Sequence, residues 1–146
     1  MQLSEILLTK GSTVYTIAPE ATLAELAQEL VNRNCGSLVV VHEDRMVGII
    51  TERDFLRSYV ATGRDLNELY VSDYMTTSVI TGKPADTVSD TMSLLTTRRI
   101  RHLPILDDNS QLAGLISIGD VVKSQIGQLA VENHFMKSYI QEVPTT

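Results

Sequence analysis

Apolar residues recur at helical spacing between positions 22 and 33, where Leu23, Leu26, Ala27, Leu30 and Val31 share one face. Two β-branched runs follow, SLVVV at 37–41 and RMVGII at 45–50, separated by the polar turn His42-Glu43-Asp44. They read as paired strands, and a helix over about 52–61 comes next. The order then returns: a weaker amphipathic helix over 87–98 (Val88, Met92, Leu95), the runs HLPIL (102–106) and QLAGLIS (111–117) around the turn DDNS, and a helix over 118–141. A short β-branched stretch precedes each set, Val14-Tyr15-Thr16 and Val79-Ile80-Thr81. The pattern predicts an α+β protein with the order β-α-β-β-α written twice and 61–75 as the link. The last helix carries a stripe of Val122, Ile126, Leu129, Ala130, Met136 and Ile140, interrupted by Asn133. That stripe suits packing against either the N-terminal segment or a second subunit.

The two halves are a duplication. At a shift of 65 residues Val14 meets Val79, Thr16 meets Thr81, Pro19 meets Pro84, Thr22 meets Thr87 and Leu38 meets Leu103. One residue is inserted near DDNSQ, after which Gly48 meets Gly114, Ile50 meets Ile116 and Asp54 meets Asp120. Thr22 with Glu25, and Thr87 with Asp90, have the spacing of helix capping boxes. Units of about 65 residues are marginal alone, so they should pack as one body.

Composition narrows the function. A net charge of -6 and a pI near 4.9 argue against a nucleic-acid binder, which would carry a basic face. No apolar run reaches 18 residues, so no membrane partner is expected. The first residues lack the basic and apolar regions of a secretory signal. A single cysteine fits a reducing compartment, and a cytoplasmic location is expected.

The repeated sentences are GIITERD (48–54) and GLISIGD (114–120). Thr51 and Ser117 with Asp54 and Asp120 fit plain helix capping. They also fit a ligand site. A helix N-terminus holds anions through free N–H groups, and an ionised Asp one turn in accepts hydrogen bonds from a ribose diol. Gly48 and Gly114 would then let a planar base approach the sheet. The densest cationic cluster is Arg98, Arg99, Arg101 and His102. Arg98 and Arg99 suit a helix C-terminus, whereas Arg101 and His102 enter the next strand and suit phosphate.

Gly48-Ile-Ile-Thr51-Glu-Arg-Asp54, Ile100-Arg-His-Leu-Pro104-Ile-Leu-Asp107 and Gly114-Leu-Ile-Ser117-Ile-Gly-Asp120 together resemble a pair of cystathionine-β-synthase (CBS) domains, most like the short stand-alone CBS pairs of bacteria and plant organelles. The resemblance implies two repeats (12–66 and 74–130) packed with pseudo-twofold symmetry into one CBS-pair (Bateman) module over 1–146, with 131–146 as a helical extension and tail. It implies an adenosine nucleotide in the clefts between repeats, AMP first, with NAD(H) and ATP as alternatives. Asp54 with Thr51, and Asp120 with Ser117, would meet ribose and the first phosphate, while Arg101 and His102 would meet phosphate. Backbone near Val14, Val79, Ile100 and Pro104 would hold the base. It further implies a homodimer that signals to a regulated partner protein and has no enzymatic activity. A ligand-free dimerisation module and a nucleotide-acting enzyme are the alternatives. Cys35 aligns with Ile100 and reads as a buried thiol. His42, His102 and His134 lack metal-ligand spacing, and Asp107-Asp108-Asn109 is turn chemistry.

Overall fold

A computed structural model describes residues 1–142, and the side chains of residues 1–134 and of Met136. The side chain of the stripe residue Ile140 and the tail 143–146 lie outside that description. Helix α1 (Leu3–Lys10) comes first, then strand β1 (Thr16–Ile17), helix α2 (Leu23–Arg33), strands β2 (Ser37–His42) and β3 (Arg45–Thr51) and helix α3 (Glu52–Thr62). A 3-10 turn at Leu66–Glu68 leads to α4 (Val71–Tyr74), α5 (Val88–Arg98), β4 (His102–Leu106), β5 (Leu112–Ser117) and α6 (Ile118–Glu142).

Local chemistry explains these boundaries. The Thr22 and Thr87 hydroxyls accept the backbone N–H of Glu25 and Asp90, starting α2 and α5. Both helices end on a left-handed residue at the same repeat position, Asn34 (φ 50°) and Arg99 (φ 54°). The β2–β3 hairpin turns through Glu43 and Asp44, both at positive φ, as a tight I′-type turn requires. In the β4–β5 turn the Asp107 carboxylate accepts the N–H groups of Asn109 and Gln111.

The first unit forms a three-stranded sheet in the order β1-β2-β3, with β1 parallel to β2. Its leading strand covers Thr16–Ile17 rather than 14–16. In the second unit 79–81 forms no strand, and a single parallel bridge joins Gly82 to Ile105 beside the two-stranded β4–β5 sheet. Gly82 is the counterpart of Ile17, and Leu103 and Ile105 fill the space its side chain would take. Without an apolar side chain to pack, the second leading strand shrinks to the hydrogen bonds of one glycine.

Each unit has its own core, completed by a segment that precedes the other. Leu23, Leu26, Leu30, Leu38, Val40 and Ile50 cluster with Leu69 and Val71 from the link. Val88, Leu95, Leu103, Ile105, Ile116 and Val121 cluster with Leu3 and Ile6 of α1. The anchoring bonds repeat as well. Leu3 N–H donates to the Asp86 carbonyl and Val71 N–H to the Ala21 carbonyl, while Ser4 N–H reaches Pro84 and Ser72 N–H reaches Pro19. Thus α1 is the counterpart of α4, and LSEIL (3–7) matches VSDYM (71–75) at a shift of 68.

On α6, Val121 is buried, whereas Val122, Ile126, Leu129 and Met136 are exposed. The N-terminal segment reaches this helix at Ser124, whose hydroxyl meets Met1 Sδ at 2.8 Å, and leaves the apolar stripe uncovered. Among the described residues no helix is long and apolar enough to cross a membrane.

Candidate functional site

Both repeated motifs sit where a β-hairpin runs straight into a helix, and both are complete capping boxes. Thr51 N–H and Oγ1 donate to Asp54 Oδ2 (3.0 and 3.1 Å), and Asp54 N–H donates to Thr51 Oγ1 (3.3 Å). Ser117 N–H donates to Asp120 Oδ2 (2.8 Å), and Asp120 N–H donates to Ser117 Oγ (3.1 Å). The capping role is therefore present in both copies. It does not consume the whole carboxylate. Every hydrogen bond accepted by the Asp54 carboxylate among the described residues lands on Oδ2, and the same holds for Asp120, so in each Oδ1 keeps its lone pairs for an incoming donor.

In front of the first motif lies a cleft of about 930 Å³ between the two units. Thr51 and Asp54 line it from β3 and α3, Val79 from the segment between α4 and α5, and Ile100, Arg101 and His102 from the start of β4 and the approach to it. Six of the residues expected at a ligand site thus share one wall system. Arg53 and Arg57 of α3 and Arg99 of the α5 cap line it too. Four of the chain's eight arginines face this cleft, against the carboxylates of Glu52 and Asp54. In a chain of net charge -6 that is a local cationic field, suited to phosphate. Sequence reading passed over Arg53 and Arg57. Their spacing of four on one helix was the available signal, since it places both on one face.

His102 is half-buried. Burial, and then the charges of Lys10 and Arg101, hold its imidazole below the ordinary 6.5, with Asp120 and Glu52 opposing. At neutral pH it stands as an uncharged donor and acceptor rather than as a cation.

The second motif is placed differently. The Lys10 ammonium, at the end of α1, meets Asp120 Oδ2 at 2.5 Å and the Leu115 carbonyl at 2.7 Å. Burial alone would raise the Asp120 carboxyl; hydrogen bonds from Lys10 and Ser117, with the Lys10 charge, outweigh it and leave the group below its ordinary value. Ser117 and Asp120 do not line the large cleft, and neither do Val14 and Pro104. Pro104 is buried in β4 opposite Leu115, and its carbonyl accepts the Gly82 N–H at 3.0 Å.

The motif glycines have a different reason from the one expected. A Cβ on Gly48 would stand 2.7 Å from the Thr76 carbonyl oxygen and 2.9 Å from Met75 Sδ. On Gly114 it would meet the Leu7 side chain at 2.5 Å. Chain segments of the protein itself, rather than a planar base, occupy the space above these strands.

Cys35 is partly buried, and burial pushes its thiol up, away from the reactive thiolate. Among the described residues no group of three acidic, His or Cys side chains could hold a metal.

The CBS domain family model matches the chain twice, over residues 4–61 and 71–127. The chain is 33% identical to a mitochondrial CBS domain-containing protein of Arabidopsis thaliana, across 95% of this chain and 71% of that protein. A CBS-domain containing protein from Agrobacterium tumefaciens has the same fold with a TM-score of 0.81, at 34% identity, covering 86% of this chain and 99% of that one. A CBS domain protein from Pyrobaculum aerophilum, solved as a complex with AMP, aligns with a TM-score of 0.72 at 28% identity, over 82% of this chain and 89% of that one.

Proposed function

This chain belongs to the CBS domain family, with two repeats in tandem, and on that premise we propose that it is a regulatory module that binds an adenosine nucleotide in its first cleft. The observation that carries the reading is the convergence across one cleft of Thr51 and Asp54 with Arg99 and Arg101. A nucleotide has a diol and a phosphate. An ionised carboxylate with an open oxygen serves the first, and a planar guanidinium fork at the approach to a strand serves the second. The AMP complex of the Pyrobaculum aerophilum protein supports the choice of AMP; ATP and NAD(H) are the larger alternatives that four arginines would favour. The module 1–146 acts as a homodimer in a reducing compartment such as the cytoplasm, and passes occupancy to a partner protein without catalysis. Differential affinity of the nucleotide for two conformations is the only route by which it shifts the partner.

A thermal-shift panel of AMP, ADP, ATP, NAD(H) and adenosine tests the reading, because a ligand that binds only the folded form raises its stability. Phosphorylated members should raise the melting temperature more than adenosine. A second reading, a ligand-free dimerisation module, draws on the complete capping boxes and on exposed Leu56, Val60, Val122 and Ile126. No shift with any member of the panel would favour it. Incubation with ATP followed by product analysis tests the enzymatic alternative.

A further inference from the structure

The two motifs stand in unequal surroundings, and the difference begins with chain length. From Leu7 to Val14 the chain takes seven steps, whereas from the counterpart Met75 to Val79 it takes four. With the shorter path, the link leaves α4 at once and pairs its backbone with β3. Thr76 N–H donates to the Ile49 carbonyl at 2.9 Å, and Ile49 N–H donates to the Thr76 carbonyl at 3.0 Å. With the longer path, α1 continues to Lys10. Leu115, the counterpart of Ile49, receives the Lys10 ammonium on its carbonyl in place of a backbone N–H. The same ammonium reaches Asp120.

We infer that Lys10 is a tethered occupant of the second motif and biases nucleotide toward the first cleft. This rests on the nucleotide reading above. Each motif Oδ2 accepts two bonds, but at Asp54 both come from neutral Thr51 donors, whereas at Asp120 one comes from Ser117 N–H and the other from the Lys10 ammonium. An ammonium beside a carboxylate neutralises it and crowds its approach, so a ribose diol, a neutral donor, must displace the lysine or bind a weaker acceptor. Asp54 has no such cation among its described partners. A lysine that served only to finish the strand edge would need the Leu115 carbonyl alone; this one makes a second contact, to the motif carboxylate. The Lys10 and Asp120 side chains keep 37% and 24% of their surface exposed. The latch is therefore partly screened, and its release should strengthen the second site by up to about fivefold rather than by a thousandfold.

Isothermal titration of the full chain with AMP tests this. The wild type should bind one tight equivalent per chain and a second several-fold weaker, and Asp54→Ala should abolish the tight one. Lys10→Met should tighten the second equivalent several-fold, and the double variant Asp54→Ala/Lys10→Met should keep that tightened equivalent alone. Lys10→Gln retains an amide donor for the Leu115 carbonyl without the charge, and should show the same tightened second equivalent even if Lys10→Met disturbs β5. Two equal equivalents in the wild type would overturn the inference. So would a tight equivalent that survives Asp54→Ala, or a second equivalent no tighter in either Lys10 variant. Absence of AMP binding in every variant is a separate outcome: it removes the nucleotide reading, and this inference with it.

Discussion

Leu7 lies over Gly114 as Met75 lies over Gly48, each carried there by the segment that precedes the other repeat. The equivalence explains why the motif begins with glycine in both copies: any side chain would collide with a neighbour that also helps to close a core. It also sets the two copies apart, because the obstruction at Gly48 includes the Thr76 backbone while that at Gly114 is one flexible side chain.

Gly48→Ala should therefore destabilise by about 1–3 kcal/mol, the usual cost of overpacking, and Gly114→Ala by less, since Leu7 can turn aside. Urea unfolding of both variants measures this. Loss of nucleotide affinity without loss of stability would instead mean that the glycines face a bound base.

Removing Leu3 should damage the second repeat, although it lies at the other end of the chain. Leu3 is fully buried among Val88, Leu95 and Ile116. Leu3→Ala should cost about 2–5 kcal/mol, as large-to-small changes in cores do. Hydrogen exchange should show the loss at β4 and β5; a loss confined to α1 would refute the exchanged core.

Asp54→Ala and Asp120→Ala separate capping from binding. Each removes a capping box worth roughly 1 kcal/mol. Asp120→Ala also frees Lys10, which adds less than about 1 kcal/mol because the lysine is more than a third exposed. Asp120→Ala should thus be the less stable variant and Asp54→Ala the one with the larger loss of AMP affinity. Calorimetry and melting curves on both decide it.

Arg101→Ala should weaken AMP by about tenfold or more and barely affect adenosine, since charge-assisted bonds to phosphate are about 1.5–3 kcal/mol each. Arg101→Lys should fall between. Equal losses for AMP and adenosine would withdraw the phosphate role.

His102 governs an acid limb of stability. Its folded value lies below the ordinary 6.5, so the unfolded chain takes up the proton first. Stability should be full above about 6.5 and fall as the pH drops toward the folded value. Asp120, also lowered, adds a second loss below its ordinary 3.8. For the same reason His102 should add little to phosphate binding between pH 8 and pH 6, where a free imidazole would gain charge. Denaturant midpoints of His102→Gln against wild type, from pH 8 to pH 5, check the sign: the variant should lose the upper part of the limb.

At the repeat shift of 66 residues, Leu56 matches Val122 and Val60 matches Ile126, and all four are exposed. A second copy would cover both helices with one self-complementary face. Val60→Glu/Ile126→Glu should turn a dimer into a monomer by light scattering, with melting of the monomer little changed. A wild type that stays monomeric at micromolar concentration would end the dimer proposal.

What the sequence determined by itself are the features set within a few residues or by repetition. The duplication, the order of helices and strands, and the Thr51–Asp54 and Ser117–Asp120 boxes rest on side chains three positions from their partners. The cationic approach at Arg101 was legible for the same reason. Tertiary structure alone decided that α1 closes the core of the far repeat, that Gly82 replaces a strand, and that Lys10 finds Asp120 across 110 positions of chain. LSEIL and VSDYM held the clue to the first of these, but the shift changes from 68 to 65 within a few residues, and a match that short does not rise above chance. The last could not be read at all: a lysine at a helix end is ordinarily a solvated charge. Only the extra turn of α1, held in place by buried Leu3 and Ile6, brings this one to a carboxylate and a strand edge that both lack another partner of that charge.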